Sequence, residues 1–510
     1  MAFYTSVFAR GNRVYVRGYE NGKRVSYVDT PNPYLFIPAS NGDYRTLDNQ
    51  PVDKIQFDNS YEARQFIEKY RGVAGFKYYG STAWGYNYIY DHFRGDIEYD
   101  PSLISVVSID IETKMRSGFP KIEFAANAIT SIALRRNGKS LIFSTVDYTP
   151  PDDSIEYVKC TNEVEMLTKF LYRWNHDWAP DIITGWNVEL FDIPYIINRI
   201  KNLLGEEMAK TISPWKLIQQ RTVEFQGKTS IAYEVCGIAV LDYLQLYRKF
   251  SFKNQESYRL DYIAEIECGV NKVSYNEYRD LDELLEKDPQ KYITYNNHDN
   301  VLVLDKLENK LRFIEQAMAL AYDAKVNYID TLTTVKMWDT IIHNYLMDNK
   351  IVIPQKKDDI DSESTIPGGF VKDPDVGSYQ WVVSFDLNSL YPHLIMQYAI
   401  SPENFVCRLP VDVDAYLDII ELGGVPVLEK TQHPIKNTDT YQSVKYANLH
   451  NYVLAANGCC YRKDQIGFLP ALMEKIYNDR TVYKKKMIAA KKLKESIEEE
   501  LIRRNIEFDK

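Results

Sequence analysis

Cysteine and long apolar runs are both scarce in this sequence. Its 510 residues include six cysteines, too few for a disulfide scaffold of this length. Cys459 and Cys460 are adjacent, and no pair of cysteines has the spacing of a zinc site. No stretch approaches the roughly 20 apolar residues of a membrane-spanning helix. The first residues lack the charged-then-apolar pattern of a secretory signal. We therefore expect a reducing cytoplasm as the compartment and no membrane partner.

An excess of positive charge is also missing. The formal net charge is -10, which argues against a protein that coats nucleic acid through its total charge. It does not exclude an enzyme with local basic surfaces, because nucleic acid responds to the local field. Hydrophobic residues make up 45% of the chain, enough for several cores. At this length we expect roughly three or four domains.

Acidic residues, by contrast, form an ordered set. Asp110 and Glu112 stand in the apolar run 106–113, which predicts a buried strand. Side chains two apart on a strand share one face, so the two carboxylates would repel each other and lose hydration. Divalent cations relieve both costs. A single Asp-x-Glu is nevertheless more often a solvated strand face than a metal site.

Three further stretches extend the set. Asp192 ends a Gly-Trp-Asn-x-x-x-Phe-Asp sequence, and Asp299 follows Tyr295 by four residues. Together with the acidic pair they could hold two divalent cations, the device that hydrolyses phosphodiesters. Further on, residues 381–387 predict a buried strand that reaches the acid Asp386 and continues into Ser389-Leu390-Tyr391-Pro392.

These stretches, in this order, resemble the three exonuclease motifs and the first polymerase motif of the family B DNA polymerases, in particular those that replicate T-even-like bacteriophages. The likeness runs from near the N-terminus to about residue 490. It implies an α/β multidomain protein with four parts. These would be a mixed α+β N-terminal domain (1–104 and 312–357), a ribonuclease H-like 3'-5' exonuclease domain (105–311), a partial palm (358–469) and the start of the fingers (470–510).

The resemblance also implies roles for individual residues. In the exonuclease, two Mg²⁺ ions, replaceable by Mn²⁺, would be held by Asp110, Glu112, Asp192 and Asp299, while Tyr295 orients the attacking water. In the polymerase, Asp386 and the carbonyl of Leu387 would bind two Mg²⁺. The residues expected to contact the nucleotide are Leu387, Ser389, Leu390, Tyr391, Arg480 and Lys484, and those expected to contact template DNA are Gly368, Gly369 and Phe370. Tyr391 would exclude a 2'-hydroxyl.

The implied partners are primer-template DNA, single-stranded DNA and deoxynucleoside triphosphates, in the cytoplasm of a bacterial host. A complete polymerase of this family also needs a second fingers motif and a Tyr-Gly-Asp-Thr-Asp stretch, and this sequence contains neither. We therefore expect an incomplete polymerase site, and a second polypeptide that supplies the remainder and a contact to a sliding clamp. Whether the chain is one half of a split polymerase or a portion of a longer one stays open.

Local patterns predict several further elements. They are a helix that Ser60 caps, a hairpin at 221–236, mainly helical structure over 312–357, a polar linker at 356–369 and a basic helix over 477–494. The hairpin resembles the element of the family that helps part primer from template. An ordinary surface hairpin is an equal interpretation of 221–236.

Three alternatives to a polymerase remain. They are an exonuclease acting alone, an RNA-binding translational repressor that uses the N-terminal block, and a globular α/β protein with chance motifs. The Ser-Leu-Tyr-Pro stretch and the basic helix argue against the first alternative, because neither serves hydrolysis.

Overall fold

The computed structural model describes residues 2–115, 120–225, 228–270, 273–354 and 371–504, without the side chains of 224, 225, 228 and 299–301. The chain divides into two compact units. The first contains 1–36 and 54–344, and the second contains 37–53 and 345–510. The finer division into four domains stays a prediction.

Strands occur throughout the first half of the chain and more sparsely in the second. In chain order they are β1 (Ala2–Arg10), β2 (Arg13–Glu20), β3 (Lys23–Asp29), β4 (Tyr34–Pro38), β5 (Tyr44–Thr46), β6 (Pro51–Gln56), β7 (Val106–Thr113), β8 (Ile129–Arg136), β9 (Lys139–Ser144), β10 (Ile155–Lys159), β11 (Ile182–Thr184), β12 (Ile218–Phe225), β13 (Lys228–Val235), β14 (Ala239–Val240), β15 (Ile351–Val352), β16 (Phe405–Arg408), β17 (Tyr452–Leu454) and β18 (Cys459–Arg462).

Helices follow and separate these strands. They are α1 (Ser60–Tyr70), α2 (Trp84–His92), α3 (Glu163–Arg173), α4 (Asp192–Leu204), α5 (Glu206–Lys210), α6 (Tyr243–Phe250), α7 (Leu260–Cys268), α8 (Leu281–Lys287), α9 (Pro289–Asn296), α10 (Val303–Leu311), α11 (Phe313–Ala324), α12 (Thr334–Asp348), α13 (Leu390–Gln397), α14 (Val413–Glu421), α15 (Val425–Leu428), α16 (Asp439–Leu449) and α17 (Phe468–Arg503).

A six-stranded mixed sheet, in the order β10-β9-β8-β7-β11-β14, organises the first unit. Strand β8 runs antiparallel to β7 and β9, whereas β11 pairs in parallel with β7 and β14. Asn137 and Gly138 join β8 to β9 with positive φ angles of 51° and 77°, as a two-residue type I' turn requires. The buried strand predicted over 106–113 is confirmed as β7, which lies inside this sheet.

Helices cover both faces of this sheet. Ile111 of β7 packs in one apolar cluster with Ile193 of α4. On the opposite face Ala133 of β8 packs with Tyr292 of α9. Asp110 lies directly across the strand pair from Ala133. Because directly opposite residues point to the same face, Asp110 lies on the side of the sheet that α9 covers.

The antiparallel sheet β1-β2-β3 is tied to the mixed sheet by a buried ionic network. Arg17 of β2 donates to the carbonyl oxygen of Pro180 at 2.6 Å and lies 3.4 Å from Asp181. The Asp181 carboxylate is fully buried and also accepts from Arg24 at 2.7 Å and from the N–H of Ser105 at 2.9 Å. Removing one partner would leave a buried charge uncompensated, so this contact specifies how the two sheets join.

Two further predicted elements are confirmed and one detail is wrong. Strands β12 and β13 form the predicted hairpin, which begins three residues earlier, at Ile218, and its tip at 226–227 lies outside the described residues. Helices α11 and α12 occupy most of 312–354. The cap of α1 is not Ser60 but Asn59, which accepts from the N–H of Glu62 at 2.9 Å. Both side chains can cap a helix, and here the hydroxyl of Ser60 donates to Asn12 instead.

The second unit contains a three-stranded sheet, β16-β18-β17, and the 36-residue helix α17. The predicted basic helix over 477–494 is therefore confirmed. The buried strand predicted over 381–387 is wrong. These residues form no strand, and Trp381 and Phe385 are 95% and 91% exposed. Cross-strand contacts stabilise a strand, and no strand in the described ranges pairs with this segment. The linker predicted at 356–369 lies outside those ranges.

No helix in the described portion of the chain combines the length and the apolar composition needed to cross a membrane.

Candidate active site

The two acids of β7 lie on the face of the sheet that α9 covers. Asp110 is paired with Ala133 and Glu112 with Ser131. Both acids are half-buried, whereas Ile111 between them is buried. This alternation agrees with the prediction that the two carboxylates share one face.

Asp192 approaches the same strand from the first residue of α4. Its Oδ1 accepts the backbone N–H of Ile111 at 3.0 Å. The pairing of β11 with β7 ends at Thr184 opposite Ser108, so the carboxylate takes up a backbone donor beyond the end of that pairing. Burial and the neighbouring carboxylate of Asp110 raise the pKa of Asp192 well above its usual range. The fold thus brings the first and second acidic stretches together.

Asn296, the last residue of α9, fixes the carboxylate of Asp110. The side chain is fully buried, and its Nδ2 donates to Oδ2 of Asp110 at 2.6 Å. Its Oδ1 accepts from the hydroxyl of Ser131 at 2.9 Å. Because a carboxylate only accepts and an amide nitrogen only donates, Asp110 must face the nitrogen of Asn296, and the Ser131 hydroxyl, which can donate, meets the amide oxygen.

Asp242 holds the loop that carries Asp192. The carboxylate is fully buried and accepts the N–H groups of Asn187 and Glu189, each at 3.1 Å, and of Leu244 at 2.9 Å. Burial raises the pKa of Asp242 to about 7, against the lowering effect of these donors. The loop is therefore anchored on both sides of residue 188.

Gly185 allows this loop to pass close to β7. A Cβ atom there would lie 2.7 Å from the carbonyl oxygen of Ile109 and 2.9 Å from Cβ of Val188. Since no side chain fits in that space, glycine is required for the approach that places Asp192 against the strand.

Of the two tyrosines of α9, Tyr292 lies close to Glu112. The hydroxyl of Tyr292 lies 2.5 Å from Oγ1 of Thr130, which donates to the carbonyl oxygen of Glu112 at 2.9 Å. Burial, and after it the Glu112 carboxylate, raises the pKa of Tyr292 well above its usual range. Tyr295 meets Tyr275 edge-to-face at 5.3 Å and lines an open groove of about 550 Å³.

Asp299 lies in the π-helical turn Asn297–Leu302, whose backbone packs against β7 and β8. Its side chain lies outside the described residues, and among the described side chains no three of His, Cys, Asp and Glu form a group that could hold a metal ion. The available donors still fit a divalent cation. They are carboxylate oxygens, and the adjacent acids Asp110 and Asp192 carry an electrostatic cost that a cation would relieve.

The predicted polymerase residues belong to the second unit. Asp386 and Leu387 lie exposed in the irregular segment before α13. Ser389 has a left-handed backbone, with φ 54°, and precedes the helix that Leu390 and Tyr391 begin. The Tyr391 side chain is 74% exposed, so this stretch is open to solvent.

The basic residues predicted to hold a nucleotide lie on α17. Arg480 and Lys484 are exposed and four residues apart, so they share one face. Helix α17 packs against α13, where Tyr477 meets His393 edge-to-face at 4.8 Å. The residues predicted to contact template DNA are Gly368, Gly369 and Phe370. All three lie outside the described residues.

Asn296 and Asp242 are functional candidates that the sequence analysis did not single out. A signal existed for each of them. Asn296 directly follows Tyr295 in the third acidic stretch, and Asp242 interrupts an apolar run just before α6. Buried polar groups need partners, so the position of Asp242 inside an apolar run indicates a specific hydrogen bond.

Two family descriptions match the chain. The exonuclease domain of DNA polymerase family B matches residues 87–263, and DNA polymerase family B itself matches residues 331–500. The chain belongs to DNA polymerase family B.

Individual relatives agree with this assignment. The DNA-directed DNA polymerase of Escherichia phage RB69 is 32% identical, over 99% of this chain and 56% of its own length. That of Enterobacteria phage T4 is 29% identical, over 97% of this chain and 55% of its own length. The DNA polymerase catalytic subunit of Alcelaphine herpesvirus 1 is 26% identical over 60% of this chain and 31% of its own. The chain thus spans about half the length of the two phage relatives.

Proposed function

We propose that the chain is the N-terminal portion of a DNA-directed DNA polymerase that replicates viral DNA, and that its first unit is a 3'-5' proofreading exonuclease of the ribonuclease H-like fold. One observation carries the exonuclease proposal. The carboxylate of Asp192 is buried beside Asp110 and hydrogen-bonded to the N–H of Ile111, so two acidic stretches far apart in sequence meet at one strand.

The proposed metal ligands are Asp110, Glu112, Asp192 and Asp299, which would hold two Mg²⁺, or Mn²⁺ in its place. When bound, such a pair stabilises negative charge on the attacking and the leaving oxygen atoms of a phosphodiester.

Other residues of the chain orient the proposed metal ligands and the attacking water. Asn296 donates to Oδ2 of Asp110 and so fixes the orientation of that carboxylate. Asp242 fixes the loop that presents Asp192. The hydroxyl of Tyr295 would orient the attacking water. The water oxygen bonds to the last phosphorus as the bond from that phosphorus to the 3'-oxygen breaks, which releases one deoxynucleoside monophosphate.

A trimming assay tests this proposal. The purified chain is incubated with a 5'-labelled single strand and Mg²⁺, and we expect stepwise shortening from the 3' end. The double variant Asp110→Ala, Glu112→Ala should lose this activity and keep the circular dichroism spectrum. A matched control, Asp152→Ala with Asp153→Ala, removes two exposed acids of the same unit and should trim normally. Equal trimming by the Asp110, Glu112 double variant, or an inert wild-type chain, would contradict the proposal.

We propose in addition that the second unit is half of a polymerase site. Helix α13, which carries Tyr391, packs against α17, which carries Arg480 and Lys484. Arginine forks onto phosphate oxygens and lysine adds a point charge, so this pair would hold the triphosphate of a deoxynucleotide, with Ser389, Leu390 and Tyr391 around its sugar. Asp386 and the Leu387 carbonyl would bind Mg²⁺, and Gly368, Gly369 and Phe370 would contact the template.

One carboxylate is weak support for two divalent cations, so this chain should not extend a primer by itself. A polypeptide with the Tyr-Gly-Asp-Thr-Asp stretch should restore templated synthesis. Asp386→Ala should then abolish synthesis and spare trimming, because the two reactions use different carboxylates. Templated extension by the 510-residue chain alone would contradict the incomplete-site proposal.

The proposed partners are primer-template and single-stranded DNA, deoxynucleoside triphosphates and, through the second polypeptide, a sliding clamp, in the host cytoplasm. An exonuclease acting alone would differ in one result, because no second polypeptide would restore synthesis. RNA binding by the N-terminal block stays a prediction.

A further inference from the structure

Two cysteines lie directly opposite each other in the sheet of the second unit. Cys407 of β16 is paired with Cys460 of β18 in the antiparallel register. Two residues on, the N–H of Leu409 donates to the carbonyl oxygen of Gly458 at 2.8 Å and supports that register. Directly opposite residues of antiparallel strands have Cα atoms about 4.5–5.5 Å apart. Disulfides bridge Cα distances of about 4.4–6.8 Å, so the pairing is compatible with a cross-strand bond.

The surroundings place both thiols on one side of this sheet. Cys460 is fully buried in an apolar cluster with Leu454 and Ala447, and Cys407 packs at the partly exposed edge of the same cluster. Burial and the neighbouring thiol of Cys407 raise the pKa of Cys460 to about 11. A reagent in solvent therefore reaches Cys407 first. Cys459 follows the alternation of β18 and lies on the opposite face from Cys460.

We propose that Cys407 and Cys460 form a reversible dithiol–disulfide pair that reacts with low-molecular-weight disulfides. The thiolate of Cys407 attacks one sulfur of the small disulfide, forms a mixed disulfide and expels one small thiolate. The thiolate of Cys460 then attacks the sulfur of Cys407 and expels the second small thiolate. The protein loses two electrons and two protons, and the small disulfide is reduced to two thiols.

The bond would close a loop that contains α14, α15 and α16 and would tie β16 to β18. A covalent link across a long loop restricts the unfolded chain and so stabilises the folded segment. The oxidised second unit should therefore resist trypsin longer than the reduced one. The bond would form whether or not the chain trims or extends DNA.

Disulfide mapping tests the proposal on the full chain. The reduced protein is treated with oxidised glutathione, its remaining thiols are blocked with iodoacetamide, and tryptic peptides are identified by tandem mass spectrometry. Fragment ions that separate Cys459 from Cys460, which share one tryptic peptide, show which of the two carries the link. We expect a link between Cys407 and Cys460, two fewer free thiols than the six of the sequence, and recovery of both thiols with dithiothreitol. Cys459→Ser is the matched control and should keep the link, whereas Cys407→Ser should abolish it.

The wild-type map alone decides the outcome, so the test does not depend on the folding of any variant. A link from Cys407 to Cys459, a link between two chains, or Cys407 that stays glutathionylated without an internal bond would each overturn the proposal.

Discussion

Substituting Asn296 with alanine tests whether the hydrogen bond that orients Asp110 matters for the proposed exonuclease. The substitution removes the donor to Oδ2 of Asp110 at 2.6 Å and the acceptor of the Ser131 hydroxyl at 2.9 Å. It leaves every proposed metal ligand in place. A large loss of activity would therefore show that the orientation of Asp110, and not its mere presence, limits the reaction.

The size of the effect follows from the charge of the acceptor. A hydrogen bond to a charged group contributes about 1.5–3 kcal/mol. Each 1.36 kcal/mol is a tenfold change in rate, so the trimming rate should fall by about 10- to 150-fold if the whole contribution is needed in the transition state. Because Asn296 is fully buried, Ser131 also loses its acceptor, at a cost in stability of about 1–3 kcal/mol.

Single-turnover trimming of a labelled single strand, measured at several Mg²⁺ concentrations, separates these effects. A Mg²⁺ requirement higher than that of the wild type indicates a misplaced ligand, which a general loss of folding would not produce. Asn297→Ala is the matched control, since that residue is also buried and lies next in the chain. Wild-type rate and wild-type Mg²⁺ dependence in Asn296→Ala would refute a positioning role.

Two further predictions address the loop and the hairpin. Asp242 has a folded-state pKa of about 7 instead of its ordinary 3.8, so the folded state keeps its proton while the unfolded state loses it. The free energy of unfolding of wild type, relative to that of Asp242→Asn, should therefore decrease by up to about 4 kcal/mol as the pH rises from 4 to 7. Urea unfolding measures this difference, and a difference that does not change with pH would argue against a raised pKa of Asp242. Deleting residues 226–229 should slow trimming of a duplex end more than trimming of a single strand, and equal slowing of both substrates would count against strand separation.

The first unit was more predictable from the sequence than the second. Strand β7 could be predicted because its alternate residues Val107, Ile109 and Ile111 are apolar, and the structure buries all three. The convergence of Asp192 on that strand was implied by the resemblance, and the contact with the N–H of Ile111 follows from where the pairing with β11 ends. A strand end of this kind depends on tertiary structure and leaves no local pattern.

The failures have the same physical origin. Residues 381–387 have the apolar composition of a buried strand, but the structure describes no strand paired with them, and Trp381 stays exposed. Asn59 and Ser60 are both residue types that can cap a helix, so the sequence does not tell which one caps α1. In the structure Ser60 bonds instead to Asn12, a residue distant in sequence. Asp242 and Asn296 were missed because their importance lies in the partners that they meet after folding.

Titration of the purified chain with Mn²⁺ measures whether Asp110, Glu112, Asp192 and Asp299 hold a pair of divalent cations. Calorimetry should detect binding with a stoichiometry that falls by at least one ion per chain in Asp192→Asn, whose neutral amide keeps the size of the side chain. The control variant Asp386→Asn should still bind the Mn²⁺ ions that Asp192→Asn no longer binds. An identical isotherm for wild type and Asp192→Asn would contradict the proposed pair of cations.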